Sequence, residues 1–568
     1  MGNIRPVLFI TLALLGYMLW IEWQKDYGPQ PSPTPGGSTI SALDDAASLP
    51  SDIPGDADLP APIDPSQVGA PAASNQENGD APAVMQASSP TINVITDVLE
   101  LEIDLLGGTV ASAKLLNYPV VLEEPDKKIE LLVSTGDQMF IAQSGLLSHQ
   151  AAPNHTTLYQ STRMDYQLAD GAEEIRVPLS WESPEGIKVT KTLILRRGQY
   201  DIEVRHQLSN QSGALWTGSR YEQLQRSVTD SDGGSGFTNP TAYSFRGIGF
   251  YSPEDKFEKV AFDDVADDPF EKAFTGGWLS MIQHYFFAAW IPPGEELSSY
   301  STQEIKPNGW PRYIARNVSP LKNVGPGENA EFSSRLYLGP KLQEQLEAVA
   351  PGLEHTVNYG IFTVFSKPLF WLLSHIHALV GNWGWSIILL TVLVKAAFFK
   401  LTETQYKSMA RMRKLQPRIE QLKERFGDDR QQMSQAMMAL YKQEKANPLA
   451  GCLPMLVQIP VFIALYWVLL ESVELRQAPF ILWIDNLSQR DPFFVLPLLN
   501  AGFMIATQRL TPMGGMDPLQ RKMMSMMPVV FAVMFAFFPA GLVLYWATNA
   551  GLSLAQQVYI TRKIAAAD

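Results

Sequence analysis

The stretch "IILLTVLVKAAFFKL" (387–401) holds the strongest candidate for chemistry in the chain. Lys395 stands inside a run otherwise suited to a membrane-spanning helix, with Lys400 near its boundary. A charge in a bilayer is costly and normally faces a bundle interior or a watery cavity. Thr391 precedes Lys395 by four residues, so the two share a helix face. An ammonium in a wetted site would attract anionic groups. A second reading stays open on the residues alone. Lys395 lies five residues before Lys400, roughly 7–8 Å along a helix, and its stem could snorkel to the inner interface.

Other chemistry finds little footing. His149, His155, His206 and His284 are scattered, with no Ser/His/Asp or metal-ligand spacing around them. His375 and His377 are two apart and project from different helix faces, a poor metal pair. The single cysteine, Cys452, excludes an intrachain disulfide. It stands in "LAGC", which reads like a lipoprotein cleavage box, but such a box must follow an N-terminal signal peptide. No catalytic residue, cofactor or metal site is expected.

The elements that position Lys395 divide the 568 residues into unlike parts. Residues 6–23, "PVLFITLALLGYMLWIEW", follow Arg5 and end without small residues, so 1–24 reads as an uncleaved transmembrane anchor. Tyr17, Trp20 and Trp23 suit its outer interface. Residues 25–92 are rich in Pro, Ala, Ser, Gly and Asp and read as a disordered periplasmic linker. From residue 93 the apolar period becomes two: Leu99, Leu101, Ile103 and Leu105 alternate with Glu100, Glu102 and Asp104 before Gly107-Gly108. Tyr200, Ile202, Val204 and His206 repeat the pattern. Such half-buried strands predict a large antiparallel β-sandwich over 93–350. "WLSMIQHYFFAAWIPP" (278–293) is too short and interrupted to span a bilayer and reads as one core strand.

The remainder is membrane-like. Spans are predicted near 383–400, 450–470, 492–509, 524–539 and 541–560, six with the anchor. Eleven Lys and Arg lie from Lys400 to Lys445. Arg509, Arg521 and Lys522 occupy a later loop, and Arg562 and Lys563 the tail. With six spans all three fall on one side, and positive loops face the cytoplasm, as then do both termini. Within 355–380, Lys367, Pro368, His375 and His377 interrupt an apolar run, which predicts an interfacial amphipathic helix rather than a seventh span. In the basic loop 401–448, Met409, Met412, Leu415, Ile419, Leu422 and Phe426 recur every three or four residues. "GDD" (Gly427 to Asp429) interrupts the pattern, and Met433, Met437, Leu440 and Tyr441 resume it. This is a helical hairpin with one apolar seam, either a solvated stub or a docking arm for an acidic or RNA-containing partner. Prolines 454, 460, 492, 497, 528 and 539 punctuate the spans and predict kinks.

Three stretches carry a resemblance: "NWGWSIILLTVLVKAAFFKLTETQYKSMARMRKLQPRIEQLKERFGDD", "MMALYKQEKANPLAGCLPMLVQIPVFIALYWVL" and "FPAGLVLYWATNAGLSLAQQ". Together they resemble the YidC/Oxa family of membrane protein insertases, densely over 355–563 and more loosely over 93–345. An anchor followed by a sandwich resembles its Gram-negative form. The resemblance implies five core helices over 381–563, a cytoplasmic tail at 564–568, and a hydrophilic groove open to cytoplasm and lipid.

By motif position the groove's positive residue is Lys395, where arginine is usual; charge is kept and the bidentate fork is not. Thr391 and Trp546 map to groove positions, Trp546 replacing the usual tyrosine, and Gln458 and Asn549 are polar neighbours. The implied function is non-enzymatic insertion and folding of nascent inner-membrane proteins, alone or with the Sec translocon. The implied partners are nascent membrane proteins, the ribosome, the signal recognition particle receptor and the lipid bilayer, with no direct nucleic-acid specificity. The implied location is the bacterial inner membrane, with the large domain periplasmic. Two alternatives stand beside it: a channel or transporter, and a membrane-anchored periplasmic protein that binds or modifies carbohydrate.

Overall fold

The computed structural model of the chain describes residues 90–136, 138–228, 244–307, 310–426, 429–444, 449–510 and 518–565. The expected anchor, and the linker up to residue 89, lie outside the described residues.

Period-two patterning becomes two facing sheets. Strand Leu99–Asp104 buries Leu99, Leu101 and Ile103 and leaves Glu100, Glu102 and Asp104 half-buried. Gly107 and Gly108 then turn the chain at φ 76° and 55°. A Cβ on Gly107 would meet the His155 carbonyl oxygen at 2.4 Å, so only glycine fits. One sheet has eleven strands and the other eight. Pairing is antiparallel except where Thr91–Ile95 runs parallel to Asp165–Gln167. The inner faces share one core, with Leu101 and Ile103 from one sheet and Ile202 and Val204 from the other. Residues 278–291 differ from expectation. They form two strands, Trp278–Ile282 and Phe286–Ile291, paired antiparallel. The polar Gln283 and His284, with Tyr285 at φ 72°, make the reversal, and every residue of both strands is buried.

After the sandwich come nine α-helices among the described residues. They are α1 (Gln343–Val349), α2 (Thr363–Val380), α3 (Trp383–Ala397), α4 (Phe399–Phe426), α5 (Arg430–Gln443), α6 (Leu449–Glu471), α7 (Val495–Leu510), α8 (Pro518–Phe535) and α9 (Ala540–Ala565). Helix α2 buries Ser366, Phe370, Leu373 and Ile376. It exposes Val364, Phe365, Trp371 and Leu379 alongside Lys367 and His375. Gly381 ends it at φ 70°, and Asn382 caps α3 by accepting from the Trp385 N–H.

The run 383–400 is not one straight helix. It breaks at Phe398, and α3 and the start of α4 meet at a bend of 63°. The Thr402 N–H and Oγ1 both donate to the Phe398 carbonyl, at 3.0 and 3.1 Å, a back-bond often found where helices bend. Lys395 and Lys400 therefore stand on different helices. Among the described residues no single helix is long and apolar enough to cross a membrane; the bent pair Trp383–Ala397 with Phe399–Ser408 meets that length and composition together.

Helices α4 and α5 fold back on each other. Leu415 and Ile419 are buried against Met437, Leu440 and Tyr441. Asp429 caps α5 by accepting from the Gln431 and Gln432 N–H groups. Elsewhere the sandwich touches the segment that follows α6. Arg476 and Gln477 donate to the carbonyls of Pro119 and Val120. Ser244 Oγ donates to Glu471 Oε1 at 2.5 Å, and His284 Nε2 lies 3.2 Å from the Leu470 carbonyl.

Candidate functional site

Lys395 sits near the end of α3 and is only 7% exposed. Its stem turns to α9, and Nζ donates to Ser553 Oγ at 2.8 Å. Ser553 Oγ in turn donates to the Asn549 carbonyl at 2.7 Å, one helical turn back. From α4, Tyr406 OH donates to the Ser553 carbonyl at 3.2 Å. These groups border a cleft of about 300 Å³. Helix α4 contributes Thr402, Gln405 and Tyr406 to its wall, α6 contributes Ile459 and Phe462, and α9 contributes Asn549 and Ser553. One side of the wall is thus hydroxyl and amide, the other apolar.

Among the described residues no carboxylate pairs with Lys395. An ion taken from water without a counter-ion costs several kcal/mol. Its hydroxyl partner offsets part of that cost, and the cleft beside it leaves room for water or for an anion. The arrangement suits reversible capture of negatively charged groups. It offers no nucleophile with an adjacent base, and among the described residues no group of His, Cys, Asp and Glu could hold a metal ion.

The other expected site residues are placed unevenly. Thr391 shares the buried side of α3, but its Oγ1 donates to the Ile387 carbonyl at 2.6 Å and it is not part of the cleft wall. Trp546 is buried in an aromatic stack beside the cleft, with ring centroids 3.9 Å from Phe535, 5.5 Å from Phe462 and 5.6 Å from Phe538. Phe462 joins that stack to the cleft wall. Asn549 lines the cleft. Gln458 belongs to α6, and its side chain lies outside the described residues. Sequence reasoning missed Ser553, Thr402, Gln405 and Tyr406. Ser553 was findable, since it lies four residues beyond Asn549 on the same helix face. The α4 residues were not, because their run reads as the start of a solvated basic hairpin.

The sandwich holds a second charged cluster, of a different kind. Arg220 and Glu222 are fully buried and ion-paired, and Arg220 Nη2 bonds Glu296 Oε1 at 2.7 Å. Arg220 Nη1 also donates to the Ser333 carbonyl at 2.8 Å. Two carboxylates thus clamp one guanidinium inside the core, where Glu222 has no exposure to solvent.

Residues 91–372 match the family model of the YidC periplasmic domain, and residues 375–567 that of the 60Kd inner membrane protein. The chain is 47% identical over 576 residues to the membrane protein insertase YidC of Thioalkalivibrio sulfidiphilus, covering 99% of each. It is 46% identical over 567 residues to the membrane protein insertase YidC of Nitrosococcus oceani, again covering 99% of each. Among solved structures it is similar to an active YidC insertase with its first transmembrane domain resolved. That match has 18% identity and a TM-score of 0.38, and covers 83% of this chain and 92% of the other.

Proposed function

The chain belongs to the YidC family of membrane protein insertases, and from that premise we propose how its cleft works. The protein is an insertase rather than an enzyme, and no covalent step is required. A nascent membrane protein presents an apolar segment with a short hydrophilic flank. The flank enters the cleft between α3, α4, α6 and α9, where the Lys395 ammonium attracts its acidic groups. The wet cleft shortens the apolar distance the flank must cross. The apolar segment then moves into lipid along the helices, gaining roughly 25 cal/mol for each Å² of apolar surface taken from water. The observation that carries this reading is Lys395 itself, a buried ammonium beside a cleft, with a hydroxyl partner and, among the described residues, no carboxylate.

Six spans, five of them the core over 381–563, would place both termini, the α4–α5 hairpin and the tail at 564–568 in the cytoplasm. The sandwich over 93–350 and the linker 25–92 would then be periplasmic, with 355–380 at the outer interface. The charge asymmetry of the loops supports that orientation. The hairpin and basic tail would meet the ribosome and the signal recognition particle receptor, and the core would work alone or beside the Sec translocon. Thr391, Trp546, Gln458 and Asn549 would support the groove around Lys395.

The test is insertion of an acidic-flanked client into proteoliposomes at equal insertase content. Lys395→Glu should abolish insertion and Lys395→Arg should retain it. Normal insertion by the Glu variant would sink the role of Lys395.

A further inference from the structure

We propose that Ser553 is the positioning residue of the cleft, holding the Lys395 ammonium where it can donate to a client carboxylate. The inference rests on the cleft reading above. Serine has one O–H donor and two acceptor lone pairs. Ser553 spends its donor on the Asn549 carbonyl at 2.7 Å. Only lone pairs remain for Lys395 Nζ, 2.8 Å away. The hydroxyl therefore acts toward Lys395 as an acceptor, which favours the ammonium and fixes its direction.

An ammonium has three N–H donors. Ser553 takes one, which leaves two, and Lys395 and Ser553 both line the cleft. A client carboxylate can accept them without displacing Ser553. Lysine makes the device necessary. Its stem is flexible and its head is a point charge, so the direction of donation must come from outside the side chain. An arginine at the same place carries its own planar fork of donors and depends less on any single acceptor. Tyr406 adds a tie from α4. Its hydroxyl donates to the Ser553 carbonyl and ties that turn of α9 to α4.

The experiment uses the full-length protein in proteoliposomes. It reads the ratio of insertion of an acidic-flanked client to that of the same client with a neutral flank. Insertase content and membrane integration are measured for every variant. Ser553→Ala should lower the ratio about tenfold, the worth of one hydrogen bond to a charged group. Ser553→Thr keeps a hydroxyl and should restore it. In a Lys395→Arg background, Ser553→Ala should change the ratio less than twofold. An unchanged ratio in Ser553→Ala, with Lys395→Glu still inactive, overturns the role of Ser553 and leaves the cleft reading standing. An equal loss in the lysine and arginine backgrounds, or no rescue by threonine, reduces Ser553 to helix packing and also overturns the proposal. A normal ratio in Lys395→Glu overturns both.

Discussion

At the scale of single residues, the protein treats its buried cations in different ways. Lys191, inside the sandwich, donates to three carbonyls, those of Gly107 and Gly108 at 2.9 Å and Ser144 at 3.1 Å. All its donors are used, as suits a structural group, although burial still pushes its pKa down to about 7. Lys395 has, among the described residues, a single hydroxyl partner beside an open cleft, as suits a group that binds something else. His206 lies fully buried in the sandwich with both ring nitrogens unbonded. Burial first, and then the positive charges of Lys191 and Arg220, hold its pKa well below the ordinary 6.5. The unfolded chain therefore binds a proton that the folded chain refuses. The stability from this group is whole above pH 6.5 and is lost as pH falls below it, by roughly 1.4 kcal/mol per pH unit. Thermal denaturation at pH 7, 6 and 5 sums this slope with those of other groups, such as His284, whose pKa burial pushes down to about 3, and Glu474, whose pKa burial pushes up to about 7; His206→Leu should shift the summed slope by about that amount. Equal slopes in the two proteins would refute the assignment.

At the scale of elements, one bend shapes the site and one seam holds the hairpin. The bend between α3 and α4 carries Thr402, Gln405 and Tyr406 to the cleft wall, where a straight helix would have carried them away. The hairpin beyond it rests on a small seam. Among the described residues Leu415 and Ile419 are buried in it, while the Arg418–Glu444 pair at 2.5 Å is largely exposed. Exposed pairs contribute about 0–1 kcal/mol, and burying a carboxylate in an apolar seam costs far more. Leu415→Asp combined with Ile419→Asp should therefore separate α4 from α5 and speed limited proteolysis in the turn before Arg430. Arg418→Ala should be cleaved at nearly the parental rate. A reversed order would mean that charge, not the seam, holds the hairpin.

At the scale of the whole molecule, one apolar core runs from the sandwich, at Trp278 and Phe286, into the helical region, at Val473 and Leu475, with polar contacts beside it. Arg476 and Gln477 reach the Pro119 and Val120 carbonyls, and Glu471 bonds Ser244. None of these residues borders the Lys395 cleft. Deleting 93–345 should accordingly leave client insertion in place while lowering the melting temperature of the purified protein in detergent, since Glu471 and the Leu470 carbonyl lose their partners. Insertion abolished in a deletion that still integrates into membranes would move the sandwich into the mechanism. Insertion retained leaves no room for a sugar-modifying sandwich as the chain's principal activity.

Much of this was legible in the sequence, because it depends on periodicity and on the cost of charge. Alternation at Leu99–Asp104 and 201–208 specified half-buried strands, for a strand's side chains can only alternate. The three-and-four spacing at Leu415, Ile419, Met437 and Leu440 specified a seam. Lys395 stood out because a charge in an apolar run demands a reason. The rest needed the tertiary structure. No proline or glycine marks Phe398, so none of the residues that usually break a helix announces the bend that separates Lys395 from Lys400. The hairpin at 278–291 was hidden because both of its strands are buried on both faces and show no alternation. Which hydroxyl meets Lys395 was hidden as well, since 158 residues separate it from Ser553. Local pattern fixes what a residue costs; only the packed helices decide which partner offsets that cost.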